Sequence, residues 1–370
     1  MAIYKIFPIQ DTTLYSILPE MNTGLDEILE TSLEVGDIGT PAPQTSRFLI
    51  KFSSTEISDI IDNIISSSQW QSNLRCFVAD VTALNSDTII EAYPISQSWN
   101  MGTGRYKSIP EIQNGASWIW RDYQGGIKWT TSSFASGSTG SYSPSVDPGG
   151  ATWYVTQSLS GSQTFGYYTD KDININVKNI VDAWYSSSIE NDGFIVKQKT
   201  EFIDNEDVQP KMKYFSIDTH TIYPPYLEFK WVDTTFNTGS STLTTIDTIP
   251  FVVTIGENPG TFYLESINKF RVYSRPEYPA RTFQTASYFV QNYYLPDESC
   301  YAIKDLDTNE YVIDFDTTYT QLSKDENSSF FTLYMNGLQP ERYYKILIKT
   351  IINGSTFILD NDYYFKIING

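Results

Sequence analysis

The chain carries one histidine, His220. Any Ser–His–Asp or Cys–His machinery would have to use that imidazole, because such nucleophiles need an adjacent base. It sits in Asp218-Thr219-His220-Thr221-Ile222-Tyr223, between strand-like runs, and reads as a strand-end or interface residue. The two cysteines, Cys76 and Cys300, lie far apart and outside any spaced motif. With a single histidine they cannot complete a zinc set. They read as buried or half-buried thiols, since a disulfide framework would need more of them. Carboxylates are abundant, 44 in all, yet no spacing singles out two as an acid/base pair for glycosidic bonds. Asp305, Asp307 and Asn309 recur at every second position, like the start of a calcium loop. The glycine and closing glutamate of such a loop are missing, so a hairpin turn is expected. No catalytic residue, cofactor or metal ligand is assigned, and the chain is read as non-enzymatic.

Aromatic side chains offer a different chemistry. Trp99, Trp118, Trp120 and Trp129 punctuate a stretch that is otherwise full of turn residues, from Gly102 to Gly150. A loop that long in a compact domain is usually functional or poorly ordered. In one reading Trp99, Trp118 and Trp120 pack the loop onto a sheet. In the other, Tyr106, Tyr123 and Trp129 stand exposed and stack on C–H-bearing sugar faces, with Asn, Asp and Arg supplying hydrogen bonds. Gly102-Thr103-Gly104 reads as a tight turn. It lacks the third glycine and the following helix of a dinucleotide fingerprint.

The elements that must position these residues are strands. Tyr and Phe number 27 and 21, and charged residues are only 19%, a mix that favours β structure. Arg47-Phe48-Leu49-Ile50-Lys51-Phe52 is a strong strand core, and Ile173, Ile175 and Val177 alternate with asparagines. One helix is expected over Ser53–Ser68, where Ile57, Ile60, Ile61, Ile64 and Ile65 share a face. A Thr-, Ser- and Gly-rich boundary follows Trp231. The expected organisation is all-β: a sandwich over residues 1–233, a linker and intermediate β segment over 234–290, and a compact sandwich over 291–370. The net charge of −19 and the lack of a basic cluster argue against nucleic acid and against docking on an anionic membrane. No stretch is long and apolar enough to span a bilayer. The N-terminus shows no signal-peptide pattern, so synthesis in a cytoplasm without Sec-type export is expected.

Certain motifs carry a resemblance. Asp11-Thr12-Thr13, Asn22-Thr23-Gly24, Leu33-Glu34-Val35-Gly36, Arg47 through Phe52, Ser98-Trp99-Asn100-Met101-Gly102-Thr103-Gly104 and Gly115-Ala116-Ser117-Trp118 follow the order of the DNRLRE-type jelly-roll domain, which is similar to carbohydrate-binding modules. Asn100 and Met101 depart from its commoner acidic and small residues. The resemblance implies a jelly-roll sandwich with Arg47, Phe52, Trp99, Gly102, Gly104, Trp118 and Trp120 as fold-signature residues. It also raises a structural calcium, which such jelly rolls sometimes hold, at Asp170 and Asp172 or at Asp204, Glu206 and Asp207. Solvated acidic loops are the alternative there. Leu338-Gln339-Pro340 before Tyr344 resembles the L-x-P-x-x-x-Y corner of fibronectin III-like and immunoglobulin-like modules.

The whole chain is similar to structural proteins of contractile-tailed phages of marine cyanobacteria, through Tyr4-Lys5-Ile6-Phe7-Pro8, Gly102 to Tyr106, Tyr214 to Pro225 and Met335 to Tyr344. That implies a virion location reached from the host cytoplasm, with other virion proteins as partners. A rigid β scaffold with Tyr-rich edges is expected to form a homo-oligomer or to dock on neighbouring subunits, and a glycan-binding module that holds host surface glycan is the alternative.

Overall fold

The computed structural model describes residues 2–34, 44–84, 87–130, 139–140, 149–154, 158–199, 210–232, 243–279 and 292–369. The protein is all-β, built from several sheets with a few short helical turns. By contact density it divides into two units. The larger unit comprises Ile6–Ile64 and Gln71–Glu228, and the second comprises residues up to Lys5, Ile65–Trp70 and Phe229–Gly370.

The larger unit is organised by an eight-stranded sheet. Its order is Gly161–Phe165, Thr88–Pro94, Phe194–Gln198, Gln44–Lys51, Ile28–Glu34, Lys211–Phe215 and Val78–Thr82, with Gln10–Tyr15 also paired to Gln44–Lys51. Gln44–Lys51 is buried over six successive residues, Thr45 to Ile50, because both of its faces are covered. Phe48 meets Tyr214 on one side with ring centroids 6.0 Å apart. Arg47 and Leu49 point to the other. A separate antiparallel pairing joins Ile173–Asn176 to Asn73–Cys76.

The helix expected over Ser53–Ser68 is shorter. Ser53 caps an α-helix over Ser54–Asp59 that opens into a π-helical turn at Ile60–Ile64. The wider turn rotates the isoleucine stripe off one face. Ile57 and Ile60 are buried, and Ile61 and Ile64 are half-buried. A second helix, Lys178–Tyr185, was not expected. It buries Ile180, Val181 and Trp184 and has no side-chain cap. The alternation of Ile173, Ile175 and Val177 just before it reads as a strand and masks the helical spacing that follows.

In the second unit, Phe251–Gly256, Ile267–Pro276, Ser329–Tyr334 and Ser323–Lys324 form a four-stranded sheet. A six-stranded sheet runs Thr261–Tyr263, Tyr364–Ile368, Tyr343–Ile352, Cys300–Asp305 and Tyr311–Ile313, with Ser355–Leu359 paired to Tyr343–Ile352. Aromatic rings fill the shared core. Phe270 stacks on Phe331 at 5.0 Å, and Phe331 stacks on Tyr301 at 4.2 Å. Phe262 meets Phe270 and Phe365 edge-on. Such contacts add about 0.5–1.5 kcal/mol each beyond area burial. Ile3 from the chain start, and Val253 and Val272 from the stretch expected to be intermediate, belong to this core. The Asn336 amide donates to the Lys5 carbonyl at 2.8 Å. Ahead of Tyr343–Ile352, the Gln339 N–H donates to the Tyr344 hydroxyl at 2.8 Å, and that hydroxyl donates back to the Gln339 carbonyl at 3.1 Å.

Candidate functional site: the tryptophan cover and its buried arginine

Leu14 lies opposite Arg47, and Ile195 opposite Leu49, in the sheet register. On this patch pack Trp99, Ala116, Trp118, Trp129, Ala151 and Trp153. The cover is fastened by polar atoms that the apolar rings could not orient alone. The Trp99 indole N–H donates to the Asp192 carbonyl at 2.8 Å, and the Trp129 indole N–H to the Ser117 carbonyl at 2.9 Å. Asn22 ties the glycine motifs together. Its amide donates to the Met101 and Ala116 carbonyls at 2.8 Å each, and its Oδ1 accepts the Gly104 N–H at 2.7 Å. Glycine is required at this knot: a Cβ on Gly24 would lie 2.1 Å from the Met101 carbonyl oxygen, and Gly102 has φ +74°.

Arg47 is 1% exposed. Its guanidinium lies between Trp118, at 4.8 Å, and Trp153, at 5.0 Å. Its Nη1 donates to the Gly150 carbonyl at 2.6 Å. Two π faces and a carbonyl offset the desolvation of the cation. Beside it, Lys197 lies 3.8 Å from Glu91, and the Tyr93 hydroxyl donates to Glu91 at 2.9 Å. The arrangement clamps a loop on a sheet.

Of the fold-signature residues, Arg47, Phe52, Trp99, Gly104 and Trp118 are buried, while Gly102 and Trp120 are half-buried. The glycan candidates fare differently. Trp129 is 1% exposed and cannot be a surface stacker; its ring is consumed by the cover and its N–H by Ser117. Tyr106 is 41% exposed, with Tyr15 against it at 4.9 Å and the Lys107 ammonium 5.1 Å from its ring. Tyr123 is half-buried against the edge of Trp120 at 5.3 Å, and Lys128 lies over Trp120 at 4.8 Å. The three candidates therefore enter separate contacts and build no common platform.

His220 is 87% exposed, 3.7 Å from Glu27. Burial pushes the Cys76 and Cys300 thiols up, away from thiolate reactivity. Both are free. Asp172 accepts the Val78 N–H and Asp170 accepts the Asp172 N–H. Asp204, Glu206 and Asp207 lie outside the described residues. Among the described residues no three His, Cys, Asp or Glu side chains are grouped to hold a metal ion, and no helix is long and apolar enough to cross a membrane. Asp305 closes a turn, accepting the Asp307 and Thr308 N–H groups while Asn309 takes φ +62°.

Two features carry more than their sequence setting announces. Asp11 is 1% exposed, with one oxygen accepting the Ile217 N–H at 2.7 Å and the other unpartnered. Burial, with Asp218 and Asp26 nearby, pushes its carboxyl up to about 8 against the Ile217 bond. Only the pairing of distant segments reveals this. The second feature, the adjacent Tyr167 and Tyr168, is legible as a doublet after Gly166.

No family model matches the chain, and no curated protein matches it. Among solved structures, a DUF4785 family protein from Legionella pneumophila subsp. pneumophila str. Philadelphia 1 is similar at 9% identity. That likeness covers 98% of this chain and 66% of the other, with a TM-score of 0.17, and at that score it carries no argument.

Proposed function

We propose that the chain is a non-enzymatic structural protein of a tailed-phage particle, at the neck, collar, tail or capsid surface, whose work is contact with neighbouring subunits. The observation that supports this most is the fate of the motif residues. Asn22, Arg47, Trp99, Trp118 and Trp129 all fasten one loop on one sheet. The residues most suited to chemistry are thus spent on rigidity. In this reading the larger unit is a jelly-roll sandwich, in keeping with its eight antiparallel strands and separate second pairing. The second unit is an immunoglobulin- or fibronectin III-like sandwich. The bond between the Tyr344 hydroxyl and the Gln339 backbone supports this, because such folds use a tyrosine to pin that corner.

Quantitative mass spectrometry of washed virus particles tests the role. A fixed copy number relative to the major capsid protein is expected. Loss of the chain on washing, or turnover of a polysaccharide by the purified protein, defeats it.

A further inference from the structure

The turn between Gly161–Phe165 and Ile173–Asn176 carries the chain from the eight-stranded sheet to the separate pairing of the larger unit. At its tip Tyr167 is 74% exposed and Tyr168 96% exposed. Their rings stand 5.0 Å apart at an interplanar angle of 82°. Two large apolar rings left in water at neighbouring positions are unusual in a chain that buries so many aromatics, and the turn that presents them is tightly built. The Lys171 ammonium donates to the carbonyls of Gly166 at 2.8 Å, Tyr167 at 3.0 Å and Thr169. Those three bonds use all its protons. Thr169 accepts the Gly166 N–H at 2.8 Å. The Gln163 amide and the Asn174 N–H brace the strands below. Under Tyr167 lies a cleft of about 310 Å³ lined by Val81, Ala83, Leu84, Tyr167 and Lys171, at the small end of ligand sites.

The geometry points to a binding site for a neutral saccharide at Tyr167 and Tyr168, one ring stacking on the C–H face of a sugar that sits against the cleft. Each part of the turn bears on the ligand class. Tyrosine gives broad amphipathic area with few torsions to freeze, and its hydroxyl can meet a sugar hydroxyl. The turn is already fixed, so little ordering entropy opposes binding. The three N–H donors of the Lys171 ammonium are taken by backbone carbonyls, so it offers an anionic ligand no hydrogen bond. Asp87, whose Oδ1 would lie 2.8 Å from a Cβ on Gly166, Asp170, and a net charge of −19 repel uronates and sulfated polymers. This inference goes beyond the contact role and stands or falls separately from it.

The test is affinity electrophoresis of the full chain in native gels containing a neutral mannan, a galactan or a β-1,3-glucan, with alginate as the anionic counterpart. Retardation by at least one neutral polymer is expected. The Tyr167→Ala/Tyr168→Ala double variant should bind about tenfold more weakly or worse. Tyr278→Ala, an equally exposed tyrosine of the other unit, should match the wild type. Both variants should keep the wild-type circular dichroism and melting temperature, since the truncated rings face solvent. No retardation in any neutral polymer, equal retardation of the double variant, or preference for alginate overturns the site. So does sedimentation velocity showing that the wild type self-associates through these rings while the double variant does not.

Discussion

Replacing Asp11 by asparagine should flatten the pH dependence of the larger unit's stability. Asp11 lies on Gln10–Tyr15 with its carboxyl buried, one oxygen on the Ile217 N–H and the other without a partner. Burial is the main reason its carboxyl is pushed up to about 8, with Asp218 and Asp26 adding to the shift. The folded unit therefore keeps a proton that the unfolded chain releases near pH 4. The stabilisation is complete below that unfolded value, declines as pH rises, and is exhausted above about pH 8. At 1.36 kcal/mol per pH unit, a shift of about four units has a ceiling of ~6 kcal/mol, a large part of an ordinary domain's stability. Asparagine keeps an acceptor for Ile217 and cannot ionise. Urea unfolding from pH 5 to pH 8.5, followed by tryptophan fluorescence, reads mainly this unit. Trp99, Trp118, Trp120, Trp129, Trp153 and Trp184 belong to it, six of the eight in the chain. The wild type should lose several kcal/mol across that range, and Asp11→Asn well under half as much. A remnant slope is expected from Asp26, Asp172, Asp192 and Asp218, which burial also raises. Parallel slopes for the two proteins, or a carbon-13 carboxyl shift showing Asp11 ionised at pH 6, would refute the reasoning.

The second unit should respond with the opposite sign. Burial disfavours ionised Asp325, but Arg271, Lys269 and the Asn327 and Ser328 N–H groups outweigh it and hold the carboxyl well below the usual range. Its stabilisation is complete above the unfolded value and lost only as pH falls through the still lower folded value, so Asp325→Asn should lower the melting temperature at pH 7 and lower it by a smaller amount at pH 2. Arg47→Ala should destabilise the larger unit by about 3–5 kcal/mol in urea, because it empties the slot between Trp118 and Trp153 and strands the Gly150 carbonyl. Tyr344→Phe removes both bonds to Gln339 and should cost about 1–3 kcal/mol in the second unit's thermal transition; no change would mean the corner is held by packing alone.

What could be read in advance follows the range of the interaction responsible. The strand core at Arg47 to Phe52, the turn at Asp305 to Asn309 and the tyrosine at the Leu338–Pro340 corner are written in residues within a few positions of one another. Asn22 shows the limit. Its sequence neighbourhood announces only a turn, yet its amide reaches carbonyls 79 and 94 residues away. Trp129 shows the same limit from the other side. A tryptophan in a turn-rich stretch suits a surface platform as well as a cover. The decision rests on Leu14, Leu49 and Ile195, which three separated strands bring to one patch. Residue type says what a side chain can do, and the register decides which of those things it is free to do. The inversion of the aromatic candidates follows from that. The tryptophans and Arg47 satisfy one another and are sealed. Tyr167 and Tyr168 sit on a turn whose polar groups are already saturated by Lys171 and Thr169, and their rings remain available to something outside the chain.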